Sequence, residues 1–184
     1  GRPVTTVFSG AELIREVVED EDGFETVRIT IRGGATIRHD KIVITANRMV
    51  VEDGVRGKLE GRVRVYDRES GVRVYGARAD YDRDEQLVKM TGQPYILFKQ
   101  KDQPKPTLIT CEQINRDLAA KVSTLNTDVR IHHESWTIIG DRGTYRDEEN
   151  EIVLEDNPLL FGRGQFLSGD RIVYEVGARQ VSLD

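Results

Sequence analysis

The residues of this sequence that could do chemistry are three histidines, one cysteine, one tryptophan and several runs of acids. His132 and His133 are adjacent, and adjacent side chains on a strand point to opposite faces, so the two imidazoles do not chelate one metal. They read as one exposed and one half-buried histidine, and His39 stands alone. The acids gather in Glu19-Asp20-Glu21-Asp22 and Glu148-Glu149, stretches that read as turns, where solvated charge is their ordinary role. Gly33-Gly34 reads as a glycine pair between strands rather than a phosphate loop, since neither a Lys-Ser pair nor a helix follows. Gly162-Arg163-Gly164 reads as a turn, and Trp136 as the packing anchor of a strand over 136–139. Cys111 has no second cysteine to bridge to and reads as a buried structural thiol. These residues compose no catalytic constellation, no metal site and no cofactor site. The sequence does not read as an enzyme.

Stepping outward from single residues, the composition limits what they can be built into. Apolar residues make up 38% and charged residues 32% of 184, which is polar for a compact globule and suits strands that each bury one face. A net charge of −5, with acids and bases interspersed, gives no electrostatic draw to nucleic acid. No segment reads as a signal peptide or a membrane span; Tyr95-Ile96-Leu97-Phe98 is typical of the longest apolar runs.

Period-two alternation dominates the chain. Val27, Ile29 and Ile31 alternate with Arg28, Thr30 and Arg32; Val63 and Val65 with Arg62 and Arg64; Val129 and Ile131 with Asp128, Arg130 and His132. Such alternation predicts half-buried strands. Turn signals separate them, as at Glu52-Asp53-Gly54, Glu69-Ser70-Gly71 and Asp147-Glu148-Glu149-Asn150. Phe8-Ser9-Gly10-Ala11-Glu12 reads as a degenerate first strand, and the chain as all-β.

The strands belong to a repeat of about thirty residues, clearest at Gly76-Ala77-Arg78-Ala79-Asp80-Tyr81, Gly140-Asp141-Arg142-Gly143-Thr144-Tyr145 and Gly169-Asp170-Arg171-Ile172-Val173-Tyr174. Degenerate copies start at Ala46 and Cys111. A second set of anchors, Gly61, Gly92, Asn126 and Asp156, falls midway and splits the unit into halves of about fifteen residues. The excess is confined to 99–106, which reads as a lengthened surface loop with two prolines.

Within the repeat, positions three and five after the first anchor share parity and face one side. They are Met49, Ala79, Ile114, Gly143 and Ile172, then Val51, Tyr81, Arg116, Tyr145 and Tyr174. Position two carries Arg48, Arg78, Gln113, Arg142 and Arg171, a polar column on the other side. Two packed sheets, or one sheet folded on itself, would enclose the first column. Gly143 and Ala79 beside the tyrosines are expected to leave space in that interior.

The "small-Asp-Arg-x-x-Tyr" strand alternates with a second motif, seen in Val88-Lys89-Met90-Thr91-Gly92-Gln93-Pro94-Tyr95-Ile96 and Ile152-Val153-Leu154-Glu155-Asp156-Asn157-Pro158-Leu159-Leu160. This pattern resembles OstA-like domains, the LptA family of periplasmic lipopolysaccharide transport proteins, which includes LptC and the N-terminal domain of LptD. The resemblance covers 44–183 well and 8–45 weakly. Arg116 for the aromatic, Cys111 for glycine and the 99–106 loop depart from it. It implies a single domain over 1–184, with its clearest repeats in 44–184 and a degenerate first repeat in 1–43. The implied fold is an antiparallel β-jellyroll, two sheets folded into a partly open V. Its apolar groove would hold lipid acyl chains, lined by Met49, Val51, Val63, Val65, Ala79 and Tyr81, and by Ile114, Val129, Ile131, Tyr145, Ile172 and Tyr174. The resemblance further implies a periplasmic location, a bridge between inner and outer membranes, LptC-like and LptD-like partners, and head-to-tail self-association through edge strands. The alternative is a structural β-array that polymerises end to end around a solid core, without a lipid ligand. A carbohydrate-active parallel β-helix would need carboxylates clustered on one strand face, and the acids here sit in turns.

Overall fold

The structure is a computed structural model and describes residues 5–98, 105–178 and 180–183. Every regular element among them is a β-strand, so no helix is long and apolar enough to cross a membrane. The chain runs back and forth in hairpin-connected passes. β1 (Thr6–Glu19) and β2 (Glu25–His39) open the sheet, followed by a pass made of β3 (Ile42–Ala46) and β4 (Arg48–Glu52). β5 (Arg56–Asp67) and β6 (Arg73–Asp82) come next, then β7 (Leu87–Thr91) with β8 (Tyr95–Phe98), and β9 (Thr107–Thr110) with β10 (Gln113–Asp117). β11 (Val122–His133) and β12 (Trp136–Arg146) precede β13 (Glu151–Glu155) with β14 (Leu159–Gly162). β15 (Gln165–Ser168), β16 (Arg171–Glu175) and β17 (Gln180–Leu183) close the chain. All 17 strands belong to one sheet, and each pass pairs antiparallel only with the pass before it and the pass after it.

The repeat has a backbone cause. Alternate passes carry two successive left-handed residues near their midpoint: Gly33-Gly34, Gly61-Arg62, Gly92-Gln93, Thr127-Asp128 and Asp156-Asn157. Where the ladder continues on both sides, this pair faces a single residue. Gly61 and Arg62 lie between the pairs Glu60↔Arg78 and Val63↔Gly76, opposite Ala77 alone. Thr127-Asp128 faces Asp141, and Gly33-Gly34 faces Ala11. Two residues against one make a β-bulge, which bends its strand and increases the local twist. The same backbone hydrogen bond recurs down the row: Asn47 N–H to Gly61 O (2.8 Å), Ala77 to Gly92 O (3.1 Å), Glu112 to Thr127 O (3.1 Å) and Asp141 to Asp156 O (3.4 Å). The bulges therefore line up as a crease across the whole sheet. Gly33-Gly34, expected between strands, lies inside β2 as part of that crease.

The crease divides the sheet into two halves. The first half-sheet contains β3, β8, β9, β14 and β15; the second contains β4, β7, β10, β13, β16 and β17. The other long strands run through both. Folded at the crease, the halves bury one shared apolar core drawn from Ile31 in β2 through Val176 beyond β16. Branched Ile and Val side chains dominate it, as suits pleated surfaces packed on one face. The all-β, jellyroll-type expectation holds, with the two sheets being halves of one. Gly143 does not leave a void: a Cβ there would lie 3.2 Å from both Leu125 and Leu154, which fill the place. The expected loop over 99–106 lies mostly outside the described residues.

Gly92 shows how tightly the crease is specified. Its φ is +76°, and a Cβ would come within 2.6 Å of the Ala77 Cβ. Gly71 has nearly the same φ, +77°, with open space around it. Gly92→Ala should cost about 1–3 kcal/mol, more than Gly71→Ala, in urea unfolding. Equal costs would mean that crowding at the crease contributes nothing.

Candidate functional site: the inner face and its seam

Every residue expected to line the interior is buried. Met49, Val51, Ile114, Val129, Ile131, Ile172 and Tyr174 have no exposure, and Val63, Val65, Ala79, Tyr81 and Tyr145 are 1–4% exposed. The arginines two positions after the anchors sit on the opposite face, Arg78, Arg142 and Arg171 in solvent and Arg48 half-exposed. The residues at the inward parity positions therefore lie on the buried face. The surface is shut off from solvent rather than lining an open trough.

What shuts it is a seam. The margins of the two half-sheets opposite the crease meet through side chains. His39 Nδ1 and Tyr81 OH share a 2.8 Å hydrogen bond, and His39 Nε2 lies 3.2 Å from Gln86 Oε1. Tyr174 OH lies 3.4 Å from Thr107 Oγ1, and its ring packs edge-on against Trp136 at 4.9 Å. Tyr145 packs edge-on against Phe98 at 4.8 Å and donates to Asn150 Oδ1 at 3.3 Å. Three of the tyrosines of the repeat thus reach from the second half-sheet to the first. Burial pushes the phenols of Tyr81 and Tyr145 above their ordinary pKa, so both remain neutral.

Arg116 occupies the tyrosine position of the third repeat and makes the seam's charged clasp. It is 1% exposed. Its guanidinium donates to both Asp147 oxygens (2.6 and 2.5 Å) and to Ser123 Oγ (3.2 Å), and reaches Asp67 across the seam at 3.5 Å. Asp67 also accepts the backbone N–H groups of Glu69 (2.8 Å) and Ser70 (3.2 Å). Outside this buried layer, Lys41 and Lys121 converge on Glu69, Lys41 at 3.0 Å. Hydrogen bonds from Lys121 and then Lys41 hold the Glu69 carboxyl down to about pKa 2, and Glu69 in turn raises Lys121. Sequence reading flagged Arg116 only as a departure from the repeat. A charged residue at an inward parity position was the signal that a buried partner existed.

The remaining candidates are structural. His132 and His133 are both half-buried, not one exposed and one half-buried, and His133 stacks on Trp136 at 4.5 Å. Cys111 is buried, its Sγ 3.3 Å from Gln113 O, and burial raises its thiol to about 11. A thiol so far above neutral pH is not a nucleophile. Among the described residues no cluster of His, Cys, Asp and Glu could hold a metal ion.

The creased sheet encloses a mainly apolar inner face, broken at the seam by the buried His39, Asp67 and Arg116. Sequence comparison decides the family. Residues 22–179 match the family described as LptA/(LptD N-terminal domain) LPS transport protein, and the chain belongs to it. The family is one of transport proteins, not of enzymes. Comparison with curated proteins gives no match. Among solved structures the chain is similar to LptH from Pseudomonas aeruginosa, described as the LptA homologous periplasmic component of the conserved lipopolysaccharide transport device. That likeness has 19% identity and a TM-score of 0.31, and covers 77% of this chain and 80% of that one.

Removing one partner of a buried charge cluster strands the others. Arg116→Ala should therefore destabilise the protein by about 3–5 kcal/mol in chemical denaturation. Arg116→Met combined with Asp67→Asn and Asp147→Asn removes the charge altogether and should cost less. A single substitution that costs no more than the triple would show that the ion network is not what holds the seam.

Proposed function

We propose that this protein is a periplasmic lipopolysaccharide carrier whose creased sheet takes acyl chains onto its inner face when the seam parts. The observation that carries this reading is the contrast between the two margins of the interior. The crease is continuous backbone, while the described contacts across the seam are side chain to side chain. Parting the seam exposes apolar surface contributed by every pass from β2 to β16. Acyl chains need only such dry surface, at about 0.8 kcal/mol per buried methylene, and bind it without a specific partner. The family assignment supports the cargo, and a domain spanning 1–184 would present one continuous face to it. The solid interior also suits a structural array with no ligand, and the same experiment separates the two. A photo-crosslinking residue at Tyr81 or Tyr145 should capture lipopolysaccharide, whereas one at Arg78 or Arg142 should not. Equal labelling at all four, or none, would overturn the carrier reading.

The carrier would extend between membranes by end-to-end addition, to further copies or to LptC-like and LptD-like components. Among the described residues β1 pairs only with β2, β15 only with β14, and β17 only with β16, which leaves edges at both ends of the sheet. They carry exposed apolar side chains: Leu13 and Val17 on β1, Phe166 and Leu167 on β15, Leu183 on β17. Open edges of this kind template pairing with another strand. Light scattering should show mass rising with concentration in steps of one chain. A monomer over a wide concentration range would count against end-to-end assembly.

A further inference from the structure

On the outer face of the first half-sheet, β5 and β6 carry arginines that no described carboxylate neutralises. Arg64 pairs across the ladder with Tyr75, and Tyr66 with Arg73, so two arginines and two tyrosines alternate as a checkerboard. The Arg64 guanidinium lies over the Tyr75 ring at 5.3 Å, and that of Arg73 over Tyr66 at 4.8 Å. Tyr95 stacks on Tyr75 at 4.8 Å and backs the first of these pairs. An arginine positioned on a ring face keeps its N–H edge free, whereas one positioned by a carboxylate uses that edge. Arg62, at the bulge, is exposed two residues before Arg64.

The corresponding bulge in β11 shows what is missing. There Asp128 stands where β5 has Arg62, and it holds Arg130, in the place of Arg64, at 2.9 Å. In β5 the acid is replaced by a second arginine, and among the described residues no carboxylate pairs with Arg62, Arg64 or Arg73. Their surroundings do not offset them either. The outward neighbours Val43 and Thr45 on β3, and Tyr95 and Leu97 on β8, are uncharged. Glu60 beyond the crease is held by Arg48 at 3.6 Å, and Glu69 at the hairpin turn by Lys41 and Lys121. Asp40 and Arg68 stand in adjoining turns and offset one another. Glu112 lies three passes along the crease, about 14 Å from Arg62 at ordinary strand spacing. Beside the arginines opens a hollow of about 470 Å³, whose walls include Arg62, Arg64, Tyr75, Gln93 and Tyr95 and no acid.

We propose that Arg62, Arg64 and Arg73 bind the phosphate or carboxylate groups of an acidic saccharide, whose sugar rings lie in this hollow beside Tyr75, Tyr95 and the Gln93 amide. Guanidinium forks match both anions bidentately. A hollow of this size takes a ligand of one or two rings. β5 and β6 are paired on both sides, so a peptide cannot add to them as a strand. The site deepens the carrier reading and rests on it for the source of the saccharide. Acyl chains go to the inner face, and the acidic sugars of the same amphiphile lie on the outer face of the first half-sheet. A saccharide that leaves the seam beside Asp67 meets Arg73 first, then Arg64, then Arg62 at the crease.

The test uses the full chain and two soluble ligands that carry no acyl chain. One is the acidic oligosaccharide freed from lipopolysaccharide by mild acid; the other is the same oligosaccharide with its phosphates removed and its carboxyls reduced. In titration calorimetry the wild-type protein should bind the acidic form more tightly, and equal binding of the two overturns the site. Arg64→Gln with Arg73→Gln should lose about tenfold in affinity for the acidic form. Arg78→Gln with Arg142→Gln makes the same change in net charge on the outer face of the second half-sheet and should lose none. Equal loss in the two pairs would mean a response to net charge alone and would overturn the site. Tyr75→Leu should weaken binding and Tyr75→Phe should keep it, because the ring places Arg64; full affinity in Tyr75→Leu counts against the site as well. Inorganic phosphate that binds as tightly as the oligosaccharide would end the saccharide assignment. So would binding of phosphatidylglycerol vesicles, through the same arginines, by a protein that ignores the oligosaccharide. The oligosaccharide never enters the interior, so a failure here leaves lipid capture at Tyr81 untouched. Failure of that capture, with the oligosaccharide still bound, would sink the carrier reading and remove the source of the saccharide but not the site.

Discussion

The structure depends on one backbone constraint: two left-handed residues must oppose one ordinary residue at the same level in every second pass. A single such bulge bends one strand. A row of them, tied by the recurring hydrogen bonds from Asn47, Ala77, Glu112 and Asp141, bends the whole sheet along a line. Everything else follows from that line. It brings the two inward faces together, turns a one-sided alternation of Val and Ile into an enclosed core, and leaves a second margin that must be closed by other means. Residues at the crease accept these conformations for different reasons. Gly61 and Gly92 have no Cβ to clash, whereas Asp128, Asp156 and Asn157 belong to the residue types that enter the left-handed region most readily.

The two margins of the interior have opposite chemistry. At the crease the joint is covalent and small residues crowd it: a Cβ on Gly76 would come within 2.5 Å of Met90. At the seam the joint is made by tyrosine hydroxyls, an imidazole and a buried guanidinium between two carboxylates. Such contacts exclude water from the core while they are made, and the groups that make them are well solvated once they part. A buried ion cluster is an expensive way to hold an apolar core together, because desolvation offsets most of its attraction. At the seam Arg116, Asp67 and Asp147 compensate one another's buried charge, so the joint depends on all three being present.

How much of this was legible in the sequence differs by level. The alternation of Val63 and Val65 with Arg62 and Arg64, repeated through the chain, was enough for the strands and for which face they bury, because parity is fixed by the pleat alone. The repeat anchors were visible, but their meaning was not. Gly33-Gly34 looks like a turn between strands, since left-handed residues usually end a strand. Here the ladder resumes beyond the pair, and only the partner strand reveals that. The inward position of Gly143 suggested space, yet Leu125 and Leu154 fill it from neighbouring passes, information that no single pass contains. The clasps were invisible for a similar reason: His39 and Tyr81, or Arg116 and Asp67, are distant in sequence and meet only after the sheet is creased. Arg116 alone announced itself, as a charge where the pattern demanded an aromatic.

The nearest-neighbour pairing of the passes has a consequence for how such a chain can change length. Because among the described residues no pass touches a distant one through the ladder, a unit can be inserted or removed without rewiring the rest. The insertion must bring one bulged pass and one plain pass together, about thirty residues, or two passes of the same kind meet and the alternation that makes the crease is broken at that level. The period is thus the smallest step by which this protein can be lengthened or shortened, and its reach is quantised in that step.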